Sequence, residues 1–198
     1  MTLPNQLTIL RIVLSPLFLY FFLSEEIWMK QVSIAIYIIA ALSDWYDGWL
    51  ARKFNYITSW GKFWDPLADK ILTSFAFISF ALVDLIPFWM VLIIVGRDIL
   101  VTLLRVYADA KNFMFSTSYY AKWKTMLQMI FLYYLLIFYV AKCTPEIYNQ
   151  YESVIKMLLD KNLIYSVALF VTLITLHSGY RYLRRNWSII KRIFKIAD

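Results

Sequence analysis

DWYDGWLARKFNYITSWGKFWDPLAD, residues 44–69, decides the reading of this chain. Four aspartates, Asp44, Asp47, Asp65 and Asp69, stand here in a sequence that is otherwise mostly apolar. The first pair is three residues apart and the second four, so each pair shares one face of a helix. Two such faces set opposite each other would gather four carboxylates in one place. Like charges that close do not all stay ionised unless positive charge sits among them. A pair of divalent cations is expected there, and all-oxygen ligands favour Mg2+ or Mn2+ over zinc. Gly61, Asp65 and Asp69 share a helical face if the second helix begins near Thr58 or Ser59. Pro66 complicates that register, because an interior proline kinks a helix. The rival register makes Asp65 an N-cap and Pro66 the first helical residue.

The rest of the chain sets this acidic stretch in a membrane. Of 198 residues, 62% are hydrophobic, and the mean hydropathy is +0.61. A soluble domain is nearer half apolar. An all-α polytopic membrane protein is expected, with residues 1–198 forming one domain. The first apolar run is long enough to span and no basic leader precedes it, so it is expected to be kept rather than cleaved. Cys143 stands alone, which excludes an internal disulfide. The formal net charge of +7 would suggest nucleic acid in a soluble protein. Here it points to basic residues on the cytoplasmic side, next to anionic lipid.

Six apolar runs are expected to span: Leu7–Leu23, Val32–Leu50, Leu67–Ile86, Phe88–Tyr107, Trp123–Ala141 and Leu163–Tyr182. An even number puts both termini on one side. That side would hold Arg52, Lys53, Lys62, Lys111, Lys122 and Lys124, together with the basic tail. The opposite side would hold few lysines, mixed with glutamates. The excess of positive charge therefore predicts that both termini and the aspartates are cytoplasmic. Residues 183–198 alternate basic and apolar side chains, as an amphipathic helix on anionic lipid would. An interfacial helix is expected between Cys143 and Lys161.

Polar residues inside the apolar runs are the remaining candidates. Asn5, Thr8 and Arg11 recur every three residues on the first helix. A charge at Arg11 costs about 2.5–3.5 kcal/mol on insertion scales, so it either snorkels to headgroups or faces the aspartates. Arg97 and Arg105 are eight apart and lie on roughly one face of the fourth helix, with Asp98 expected to point elsewhere. Either Arg97 makes an interhelical salt bridge or bonds a carbonyl, or the two arginines line a phosphate pocket, since the guanidinium fork matches phosphate oxygens. Lys122 and Lys124 lie at the mouth of the fifth helix, either as an ordinary basic flank or as part of that pocket. His177, the sole histidine, reads as a packing hydrogen bond.

Written out, Asp44-x2-Asp47-Gly48-x2-Ala51-Arg52-x8-Gly61-x3-Asp65-x3-Asp69 resembles the full signature of the CDP-alcohol phosphotransferases. These are integral membrane enzymes that join a CDP-linked lipid or alcohol to a second alcohol and release CMP. The resemblance implies metal binding by Asp44, Asp47, Asp65 and Asp69, with Asp69 as the catalytic base. Asn5, Thr8, Gly48, Ala51, Arg52 and Gly61 read as the CDP-binding side, with Arg11 close by: the opening Asn5-x2-Thr8-x2-Arg11 is similar to the family's first helix, the small residues admit the nucleotide, and Arg52 either binds its phosphate, steadies the aspartates or touches headgroups. The segments GRDILVTLLR, KTMLQM and DPLADK are similar to those of the members that make phosphatidylglycerophosphate. The substrates implied are CDP-diacylglycerol and glycerol 3-phosphate, and the latter fits if Arg97, Arg105 and one of Lys122 or Lys124 converge on a pocket beside Asp69. Family membership further implies a homodimer, and the compact chain suggests a bacterial inner membrane. Inositol phosphate, inositol, serine and phosphatidylglycerol remain open as acceptors. A cation transporter would not require the eight-residue spacing, the two glycines or the Ala51-Arg52 pair, and a catalytically silent scaffold would leave the insertion cost of the intact aspartates without an offset.

Overall fold

Eight helices make up the secondary structure of the computed structural model among its described residues. Those residues are 3–54, 59–111, 113, 115–116 and 119–194, excepting the side chains of 3–4, 45, 47–52, 54, 59–60, 62 and 194. The helices are α1 (Leu3–Leu23), α2 (Ile27–Phe54), α3 (Ser59–Leu82), α4 (Phe88–Ala110), α5 (Tyr119–Cys143), α6 (Pro145–Leu158), α7 (Lys161–Arg185) and α8 (Trp187–Phe194). The long ones pack in a ring: α2 beside α5, α5 beside α7, α7 beside α4, and α4 beside α3. The first helix closes the ring by packing against both α2 and α3.

The face that α1 turns inward changes character along its length. Asn5, Thr8, Arg11 and Ser15 are buried, followed by Phe18 and Phe22 at the same spacing. The polar half therefore enters the acidic end of the bundle, and the aromatic half enters the core. There, Phe22 stacks on Tyr139 and meets Phe80 edge-on, and Phe18 packs against Tyr37. Leu132, Leu135, Phe77, Met90 and Ile94 fill the space around them. Pro16 deprives one carbonyl of its usual donor, while the Ser15 hydroxyl donates to the Arg11 carbonyl at 2.8 Å. Ser43, Ser74 and Thr172 likewise donate to carbonyls four residues back, so these hydroxyls are satisfied inside apolar helices.

Each expected span coincides with a helix, but the bounds and the count change. Among the described residues, four helices are long and apolar enough to cross a membrane by length and composition: Asn5–Leu23, Ile27–Asp44, Tyr119–Cys143 and Lys161–Arg185. The count of six is not reached because the other two long helices carry much of the polar site. Asp65, Asp69 and Lys70 interrupt α3, and Arg97, Asp98 and Arg105 interrupt α4. The third helix also stops at Leu82 rather than Ile86. Asp84 takes the left-handed conformation with φ 57°, and Pro87 opens α4. Asp160 caps α7 by accepting from the Asn162 and Leu163 amides at 3.0 Å each.

The register left open at Pro66 is decided by the backbone. The third helix begins at Ser59 and carries Pro66 in its interior, so Asp65 is a helical residue and not an N-cap. Asp65 and Asp69 thus sit one turn apart on a continuous helix.

Candidate active site

The polar face of α1 braces the two acidic helices. Thr8 donates its hydroxyl to Asp65 Oδ1 at 2.5 Å, reaching α3. One turn further on, Arg11 places its guanidinium 2.5 Å from Asp44 Oδ1, reaching α2. Arg11 is fully buried, so it turns inward to the aspartates rather than outward to headgroups. It supplies positive charge directly to the Asp44 carboxylate. Asn5 is buried on the same face, and Gly61 is buried in the first turn of α3. The side chains of Asp47, Gly48, Ala51 and Arg52 lie outside those described.

The aspartates are not sealed in. The Asp44 side chain is 47% exposed and that of Asp69 is 38% exposed. Their oxygens can therefore meet a ligand from the open end of the bundle. Among the described residues, no three acidic, histidine or cysteine side chains converge as a metal-holding group. By donor chemistry the carboxylates suit a hard divalent ion, and the fourth of them, Asp47, lies outside that description.

Beside Asp69 a cavity of about 830 Å3 opens between α3, α4, α5 and α7. Asp69 and Lys70 line one wall, Arg97 and Arg105 a second, and Lys122 a third. These come from three separate helices, and only the ring of helices brings them together. Lys70 Nζ lies 3.2 Å from Asp69 Oδ2. Tyr182 of α7 also lines the cavity, and among the described residues its buried hydroxyl has no hydrogen-bond partner.

Lys124 is placed elsewhere. It is 2% exposed and reaches Asp98 across the α4–α5 contact instead of lining the cavity. The expectation that Asp98 points away from Arg97 is also corrected. Asp98 accepts from Arg97 at 3.1 Å, from Gln128 at 3.0 Å and from Lys124. A buried carboxylate draws in every donor within reach, here from two helices, and this overrides the usual separation of sequence neighbours. Arg97 is held from its other side by the Ser178 hydroxyl, to which it donates at 2.9 Å. That contact needs Gly179: a Cβ there would stand 3.0 Å from Arg97 Cγ, tighter than an ordinary contact. His177 behaves as read, with Nδ1 3.1 Å from the Tyr120 hydroxyl.

Sequence reasoning missed Lys70, Tyr182 and Gly179 as parts of this site. Lys70 could have been found, since it lies next to Asp69 in the DPLADK run. Tyr182 and Gly179 carry no such signal, because their roles depend on α7 packing against α4.

The family profile described as CDP-alcohol phosphatidyltransferase matches residues 1–174. A CDP-diacylglycerol–glycerol-3-phosphate 3-phosphatidyltransferase from Bacillus subtilis is 35% identical over 96% of this chain and 97% of its own length. Relatives of the same name are 31% identical in Rickettsia typhi, over 92% of this chain and 95% of theirs, and 33% identical in Salmonella paratyphi A, over 76% and 82%. The braced aspartates and the match along most of its length agree: this chain belongs to the CDP-alcohol phosphatidyltransferase family.

Proposed function

We propose that the chain transfers the phosphatidyl group of CDP-diacylglycerol to glycerol 3-phosphate, giving phosphatidylglycerophosphate and CMP. The observation that carries this reading is the cavity in which Asp69 faces Arg97, Arg105 and Lys122. A carboxylate that can take a proton stands opposite cations that suit a phosphate the reaction leaves intact. An acceptor with both a hydroxyl and a phosphate spans the two walls.

The acceptor hydroxyl attacks the phosphorus attached to diacylglycerol. The new P–O bond forms as the bond from that phosphorus to the bridging oxygen breaks, and CMP leaves with the oxygen. The hydroxyl proton passes to Asp69, a carboxylate suited to general-base work when within hydrogen-bond reach. Arg97 and Arg105 hold the acceptor phosphate by paired N–H donors, and Lys122 adds a point charge. Asp98 and Ser178 fix Arg97 before the acceptor arrives, which lowers the ordering required on binding. Lys124 acts through Asp98 rather than on the phosphate.

Asn5, Thr8, Gly48, Ala51, Arg52 and Gly61 form the CDP side in this reading, with Thr8 and Arg11 orienting Asp65 and Asp44. Asp44, Asp47, Asp65 and Asp69 would hold Mg2+ or Mn2+, which when bound neutralises the charge gathering on the departing phosphate. The six long helices all span, α3 and α4 included, because their charged residues face the bundle interior or its mouth. Both termini and the site lie on the cytoplasmic side of a bacterial inner membrane, where glycerol 3-phosphate and CMP are soluble. The enzyme works as a homodimer, as the family resemblance implies.

The test is an acceptor panel with CDP-diacylglycerol: glycerol 3-phosphate, inositol phosphate, inositol, serine and phosphatidylglycerol. CMP release that depends on glycerol 3-phosphate is expected. Turnover with inositol phosphate instead would keep the phosphate pocket and change the product. Turnover only with unphosphorylated acceptors would overturn the role given to the arginines.

A further inference from the structure

A second basic cleft lies at the C-terminal end of α7, on the other side of Tyr182 from the acceptor cavity. Its volume is about 530 Å3, and it is lined by His177, Arg181, Arg184 and Arg185 with Tyr180 and Ser116. Nothing in the transfer reaction uses these residues. The spacing of His177, Arg181 and Arg184–Arg185 stacks them along one side of the last two turns of α7.

The cleft is held in shape before any ligand arrives. Tyr120 of α5 fixes two of its members: His177 Nδ1 is 3.1 Å from the tyrosine hydroxyl, and the Arg181 guanidinium lies 5.3 Å from the ring centroid. An arginine stacked on a ring keeps its N–H edge free to donate. The corner below is fixed by Asn186, which is buried. It accepts from the Ser116 amide at 3.1 Å and donates to the Tyr182 carbonyl at 3.0 Å. Among the described residues no carboxylate pairs with Arg181, Arg184 or Arg185. Three adjacent cations without counter-charge, in a preformed concavity, are the chemistry that recognises phosphate.

We propose that this cleft is a second phosphate-binding site, separate from the acceptor cavity and occupied by the headgroup of an anionic phospholipid. The exposed Tyr180 and Trp187 beside it, and the alternating apolar and basic residues of α8, suit the boundary between lipid and water. The same chemistry would accept a free phosphate, and the experiment separates the two sources. This inference does not rest on the proposed activity.

The full chain, purified in zwitterionic micelles, is titrated with phosphatidic acid while native mass spectrometry counts bound lipid. A second arm adds inorganic phosphate alone, and a third adds it in competition with the lipid. The Arg181→Gln/Arg184→Gln/Arg185→Gln variant is expected to bind phosphatidic acid at least tenfold more weakly, while Arg97→Gln/Arg105→Gln leaves one lipid bound. Binding of inorganic phosphate that the triple variant loses would also support the site and assign it to a soluble phosphate. Equal binding of both probes by wild type and triple variant overturns the proposal, as does a loss that follows only the Arg97 and Arg105 changes. Should the triple variant not fold, the exposed Arg184→Gln change alone is read the same way, with a several-fold loss expected.

Discussion

Asp98→Ala is the perturbation whose consequence can be worked furthest from the structure. Asp98 is 4% exposed and accepts from Arg97, Gln128 and Lys124. Removing its carboxylate leaves Lys124, itself 2% exposed, as a buried cation without a counter-charge. Breaking one side of such a pair costs about 3–5 kcal/mol, whereas replacing both partners by apolar groups is often close to neutral. At about 1.4 kcal/mol per factor of ten, the single change should shift the folding equilibrium by roughly two to four powers of ten. Asp98→Leu/Lys124→Met should recover most of that loss. The assay is equilibrium unfolding in mixed micelles for the wild type, Asp98→Ala, the matching singles Asp98→Leu and Lys124→Met, and the double variant. Arg97 also loses an anchor, so surviving Asp98→Ala enzyme should need more glycerol 3-phosphate for half-maximal rate. A single variant destabilised by less than about 1 kcal/mol would refute the pairing, as would a double variant whose loss equals the sum of the singles.

Three further outcomes are expected. Asp69→Asn should lower kcat by about 10²- to 10⁴-fold, the usual contribution of a positioned base; near-normal CMP release would contradict the base assignment. Gly179→Ala should displace Arg97 and raise the KM for glycerol 3-phosphate several-fold with the helical circular dichroism intact, because the new methyl would stand 3.0 Å from Arg97 Cγ; an unchanged KM would mean that Arg97 does not touch the acceptor. Chelation should abolish CMP release, and Mg2+ or Mn2+ should restore it; full activity in excess chelator would remove the metal from the account.

Much of this arrangement was legible in the sequence, for identifiable reasons. Long apolar runs need no tertiary information to become helices in a membrane, so six of the eight helices could be read directly. The spacing of Asn5, Thr8 and Arg11 placed them on one face of α1, and the structure turns that face to Asp44 and Asp65. Pro66 could not be resolved because a proline suits either a first turn or a kinked interior, and only the backbone chooses. Lys124 was misread for a different reason. Its sequence position is that of an ordinary basic flank, and its burial depends on Asp98 arriving from α4. The cavity itself was partly legible: Arg97 and Arg105 share a face, whereas the contributions of Lys70 and Tyr182 depend on how α3 and α7 meet it.

The central claim is that the cavity beside Asp69 recognises an acceptor by its phosphate. It is tested most directly by kcat/KM for glycerol 3-phosphate against glycerol, in the wild type and in Arg105→Gln. The account predicts a strong preference for glycerol 3-phosphate in the wild type and at least a tenfold smaller preference in the variant. A preference that survives the loss of Arg105 unchanged would contradict it.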